Sequence, residues 1–155
     1  MLSQATRKDR AWIAAHIPHQ GSMCLLDEVV TWTADQIRCR CSSHRSADNP
    51  LRAHGRLAAV CGIEIAAQAI AVHGALLAPA PPATRLAGYL VGVRNVVLHV
   101  TRLDDITDDL TATANRIGGD EATILYEFDL RAGSRPLVAG RAMIVIGGGA
   151  PGENP

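Results

Sequence analysis

The sequence has no surplus of charge: among its 155 residues, 15 Lys and Arg balance 15 Asp and Glu. Without a net field there is no reason to expect DNA, RNA or an anionic membrane as the main partner. Lysine is nearly missing, Lys8 being the only one, so the cationic side chains are almost all guanidinium groups, which suit bidentate contacts to phosphate or carboxylate. There is no P-loop, dinucleotide-binding glycine pattern, nucleophile elbow or zincin motif, and no internal repeat. The opening stretch, MLSQATRKDRAWIAAHI, has charges within its first ten residues and no continuous apolar core before a cleavage site. It does not read as a secretory signal, and the expectation is a cytoplasmic protein.

Cysteine is sparse. Cys24, Cys39, Cys41 and Cys61 in a reducing compartment should be free thiols. Cys39, Cys41 and His44 form a C-x-C-x-x-H cluster, but a zinc site needs a fourth ligand from elsewhere. Two cysteines on one face of a strand, buried as small hydrophobes, are the better expectation.

A hydrophobic content of 48% over this length is enough for the core of one ordinary domain. The expected boundaries are residues 1–147 for the domain and 148–155 for a flexible tail, GGAPGENP. TRKDRAWIAAHI reads as a short helix with Thr6 and Asp9 as a cap-like pair and Pro18 as its stop. CLLDEVVTW and QIRCRCS read as two strands around a Thr33-Ala34-Asp35 turn, and residues 43–56 as loop. After a stiff PAPPATR loop, LAGYLVGVRNVVLHV reads as a long strand with Gly88 and Gly92 as bend or close-approach points. LTATANRI, ATILYEFDL and LVAGRAMIVI follow as three more strands, the first two joined at Gly118-Gly119-Asp120.

Between the two groups of strands lies LAAVCGIEIAAQAIAVHGALLA, residues 57–78, in which 17 of 22 residues are apolar. Such a helix is hydrophobic nearly all round and must be buried. A membrane span is a poorer reading, because eight of the residues are alanine and Glu64, Gln68 and His73 would lie in hydrocarbon. An antiparallel sheet curved around the helix covers it economically. The free edges of that sheet could close against a second copy.

Glu64 is the anomaly on this helix, set among Ile63, Ile65, Ala66 and Ala67. Desolvation favours the protonated acid, which is the condition a general acid requires. The alternative is a partly exposed or salt-bridged glutamate at a dimer seam. Gln68 lies one turn on, about 40° around the helix, where it can orient the carboxyl, whereas His73 is about 180° away and belongs to another environment. His19, between Pro18 and a Gly21-Ser22 turn, can act as a base near neutrality, or be an ordinary surface-loop histidine like His16, His44, His54 and His99.

IPHQGSMCLLDEVV and GIEIAAQAIAVHGAL together resemble the hotdog-fold 3-hydroxyacyl-ACP dehydratases, particularly the divergent subfamily of aryl-polyene-like lipid clusters. Pro18-His19, Leu25-Leu26-Asp27, Glu64 and Gln68 carry the likeness, over about residues 10–146. The chain departs from the familiar pattern before the helix, where it reads SADNPLRAHGRLAAVCGIE. The resemblance implies an α+β hotdog fold, a curved antiparallel sheet around one long central helix. It implies that His19 removes the C2 proton while Glu64 of the partner subunit protonates the departing 3-hydroxyl, giving a trans-2-enoyl thioester. Backbone N–H groups around Gly62 would polarise the thioester carbonyl. The implied partners are an acyl carrier protein, met by Arg85, Arg94 or Arg102, and a second hotdog subunit in a homodimer or heterodimer. No metal or redox cofactor is implied; the phosphopantetheine comes with the substrate. A fatty-acid, aryl-polyene or polyketide-like pathway would be served. The alternatives are a hotdog acyl thioesterase, in which Glu64 activates water, and a non-catalytic acyl-binding subunit of a heterodimeric dehydratase.

Overall fold

A computed structural model describes residues 7–19, 21–78 and 88–147. The PAPPATR loop, Thr6, Arg85 and the tail from residue 148 lie outside the described residues. Seven antiparallel strands, β1 (Lys8–Asp9), β2 (Glu28–Trp32), β3 (Gln36–Cys41), β4 (Gly88–Leu98), β5 (Leu110–Gly119), β6 (Thr123–Ala132) and β7 (Arg135–Ile146), form one sheet in the order β1-β2-β3-β5-β6-β7-β4. Helix α1 (Arg10–His16) precedes β2, and α2 (Gly62–Leu77) fills the connection between β3 and β4.

Alternation explains the sheet. In β6, Tyr126, Phe128 and Leu130 point into the core, while Leu125 and Glu127 face out. In β3, Ile37, Cys39 and Cys41 are buried opposite Ala114, Ala112 and Leu110 of β5. The helix α2 packs across β3, β5 and β6. Together with the 3-10 turn Ala59–Cys61 that leads into it, the segment is long and apolar enough to cross a membrane by length and composition. In this fold it is the core helix. Gly62 sits where α2 comes closest to the sheet: a Cβ there would meet Leu130 Cδ2 and Val138 Cγ2, both at 3.1 Å. The amide of Gly62 already donates to the Ala59 and Val60 carbonyls, so this glycine serves packing and its N–H is not open to a substrate carbonyl.

Several boundaries differ from the sequence expectation, each because a side chain takes a backbone group. The first long strand starts at Glu28, not Cys24. Leu25 has its N–H bound by Gln68 Oε1 at 2.9 Å and its carbonyl by Ser43 Oγ at 2.8 Å, so it needs no ladder partner. The β5–β6 turn falls at Asp120–Ala122, where the Asp120 carboxylate accepts from the N–H groups of Ala122 and Thr123; Gly118 and Gly119 remain in β5. Asp9 caps α1 by accepting from the Trp12 N–H at 2.9 Å. The two-residue strand β1, paired with β2, carries too little pattern to be read in sequence.

Candidate active site

Pro18 follows the end of α1, and His19 stands in the loop between that helix and the 3-10 turn Gly21–Met23. This loop lies against the first turns of α2. His19 Nε2 is 2.9 Å from Glu64 Oε1, with the two side chains 25% and 33% exposed. Both atoms are thus close enough to share a proton and open enough to reach a substrate. The resemblance placed Glu64 of the partner subunit opposite His19; the structure brings the two residues together within one chain.

Gln68, fully buried, organises this pair. Its Nε2 donates to the Met23 carbonyl at 2.7 Å and to Glu64 Oε1 at 3.3 Å, while its Oε1 accepts from the Leu25 N–H. One amide therefore ties the acid to its own helix and the helix to the loop that carries His19. The 40° offset between positions 64 and 68 predicts the first contact; the two loop contacts come from tertiary packing that no helical spacing encodes. Asp27, the end of the Leu-Leu-Asp motif, faces away into a polar cluster, accepting from Ser42 Oγ at 2.5 Å and Arg40 Nη1 at 3.3 Å. It anchors the start of β2 to β3.

His73 occupies a different environment, as its angular position predicts. It is sealed in the core, with Nε2 2.8 Å from the Thr33 carbonyl and Nδ1 2.7 Å from Tyr126 Oη. The carbonyl can only accept, so Nε2 carries the hydrogen and Nδ1 accepts from the tyrosine hydroxyl. Burial pushes the His73 pKa down and that of Tyr126 up to about 12. The surface-loop reading fits His54 and His99, which are exposed, but not His44. That ring is buried, donates from Nε2 to the Ile106 carbonyl and has its pKa lowered by burial. His16 is half-buried, stacked on Trp12 with ring centroids 3.8 Å apart.

The four cysteines are free thiols. Burial raises the pKa of Cys39 and of Cys41, which leaves them as small apolar core groups. Among the described residues, no cluster of three or more His, Cys, Asp or Glu is arranged to hold a metal ion. Of the arginines offered to an acidic carrier, Arg94 is exposed on β4. Arg102 is held by Asp104 and, at 3.9 Å, by Asp105. Asp104 also accepts from the Leu57 N–H at 2.9 Å, so Arg102 belongs to the brace at the entry to α2.

Comparison with known proteins adds a family to this geometry. No curated protein matches the sequence at a significant level. Among solved structures, the dehydratase heterocomplex ApeI:P from Xenorhabdus doucetiae matches with a TM-score of 0.75 and 23% identity, covering 88% of this chain and 91% of that one. A mutant thioesterase from Pseudomonas aeruginosa matches at TM-score 0.60 and 15% identity, covering 90% and 94%. A mutant thioesterase from Staphylococcus aureus matches at 0.57 and 14%, covering 77% and 92%. At these identities the structures establish the hotdog fold. Residues 11–146 match the ApeP-like family, described as ApeP dehydratase, and the chain belongs to that family.

Proposed function

We propose that the protein removes water from a 3-hydroxyacyl thioester carried on an acyl carrier protein, giving the trans-2-enoyl thioester. The observation that carries this reading is the 2.9 Å contact between His19 Nε2 and Glu64 Oε1 in a member of a dehydratase family. Dehydration needs a base at C2 and an acid at the 3-hydroxyl, and these two groups supply both roles. In the reactive state His19 Nε2 holds a lone pair and Glu64 a proton. The C2–H bond breaks toward His19, the C2=C3 bond forms, and the C3–O bond breaks as Glu64 protonates the leaving oxygen. His19 then bears the extra proton and Glu64 the negative charge. Their direct contact returns the proton and resets the pair without bulk solvent.

Gln68 fixes the Glu64 carboxyl during this cycle. Polarisation of the thioester carbonyl falls to the start of the α2 segment as a whole, because the Gly62 amide is already engaged. The second subunit is a hotdog chain placed along β4. This strand is an 11-residue sheet edge on which Leu90, Val91, Val93, Val97 and Leu98 are all exposed. A long apolar edge of this kind calls for a pairing strand. A cytoplasmic setting, where carrier-bound acyl chains are built, suits four free thiols.

The test is to incubate the purified protein with a 3-hydroxyacyl carrier protein and weigh the intact carrier. Loss of one water with the wild type, and not with Glu64→Gln or His19→Ala, is the expected result. Release of the whole acyl group would replace this reading with a thioesterase. No change, alone or with a co-purified hotdog partner, would make the chain an acyl-binding subunit.

A further inference from the structure

Resting on the dehydratase reading, the structure assigns the catalytic pair to a single chain: His19 and Glu64 of the same protomer act together, and a partner subunit contributes the walls of the substrate channel but neither reacting group. The 2.9 Å contact is within one chain, and three further features hold it there. First, Gln68, one turn beyond Glu64, grips the loop after His19 at the Met23 carbonyl and the Leu25 N–H. Second, the loop is pinned on both sides of His19. Ile17 is buried two residues before it, and Cys24, Leu25 and Leu26 are buried after it. Two residues of extended chain span at most about 7 Å, so His19 cannot leave Glu64 for a distant acid without pulling Ile17 out of the core. Third, the sheet order separates the His19 loop from the open edge. Strand β1, which leads through α1 to that loop, lies at one edge of the sheet, and β4 lies at the other.

A closed pair in each chain changes what an assembly can do. In a homodimer the two sites are independent, each lost only through its own chain. In a heterodimer with another hotdog subunit this chain brings a whole pair, whatever residues its partner holds, and is not a passive half.

Mixed assemblies decide between the two arrangements. Wild-type chains and chains carrying both His19→Ala and Glu64→Gln are given different tags, and the species holding one of each is isolated. A same-chain pair leaves this species with half the dehydration rate of the wild-type dimer. A pair shared across subunits leaves it with none, because each site then lacks one group, and that outcome overturns the proposal. A second measurement does not depend on turnover. Histidine is isotope-labelled in one chain only, and the His19 ring signals are followed while Glu64→Gln is placed either in the labelled chain or in its unlabelled neighbour. The proposal requires the signals to move only when the substitution is in the labelled chain. Movement caused by the neighbour's substitution overturns it. If the wild type removes no water, the activity arm reports the failure of the dehydratase reading, while the labelled-histidine arm still decides whether the pair is within one chain.

Discussion

Two histidines contact the central helix or belong to it, and they differ in what their partners allow. His19 meets a carboxyl that can take or give a proton, in a setting where both side chains remain partly exposed. His73 meets a carbonyl and a tyrosine hydroxyl in a sealed core. The carbonyl fixes its tautomer, and burial opposes its charging. One ring is placed to change protonation state during a reaction; the other is placed to keep one state. The imidazole is the same, and the solvent access and the partner decide its role.

The largest expected effect falls on the exposed pair. His19→Ala and Glu64→Gln should each lower dehydration by about 100- to 10,000-fold, the usual contribution of a positioned acid or base, while the melting temperature stays close to wild type. Turnover assays paired with thermal melts check this. A Glu64→Gln variant that keeps most of its activity would remove the acid from the mechanism.

Gln68→Leu should damage both regions' common frame. It deprives the Met23 carbonyl and the Leu25 N–H of their partner at a cost of roughly 1–3 kcal/mol for each orphaned group. The expected result in denaturant unfolding is a lower midpoint. Activity per folded molecule should fall as well, since Glu64 loses its tether. A stable variant with unchanged turnover would show that the amide positions nothing.

Tyr126→Phe sharpens the contrast from the other side. It leaves His73 Nδ1 without a donor and should cost about 1–2 kcal/mol of stability, with turnover of the folded protein within about twofold of wild type. A large loss of turnover at unchanged stability would extend the active site to the far face of α2.

The mildest perturbation changes only the solvent. The folded pKa of His73 lies below its usual value of 6.5, and that of His44 is lowered too. As pH falls through and below that value, the unfolded chain takes up protons that the folded one refuses, so stability is complete above the usual histidine range and declines below it. Thermal melts from about pH 7.5 to 5.5 should show this decline, in Glu64→Gln as in wild type, because these rings act apart from the reacting pair. A flat profile would mean that the buried rings are not held neutral.

The site was legible in sequence wherever one helix could state it. Glu64 stands out because a carboxyl among Ile63, Ile65 and Ala66 conflicts with its surroundings, and Gln68 follows at the spacing that shares its face. The angular offset of His73 separates it from them by geometry alone. His44 was misread because its loop is polar in composition, and composition does not reveal that a backbone carbonyl, Ile106, waits to receive its ring. The start of β2 was misread for a related reason: Cys24 to Leu26 look like strand, but Gln68 and Ser43 satisfy Leu25 in place of a neighbouring strand.

The sequence by itself determined the curved sheet, its buried helix and the residue types able to react, because alternation and helical periodicity are local properties of the chain. Only the tertiary structure decided that His19 reaches the Glu64 of its own chain, that the Gly62 amide is already used, and that Arg102 is bound to its own acids. Those outcomes depend on which distant segments meet across the sheet and helix, and spacing along a single strand or helix carries no record of that.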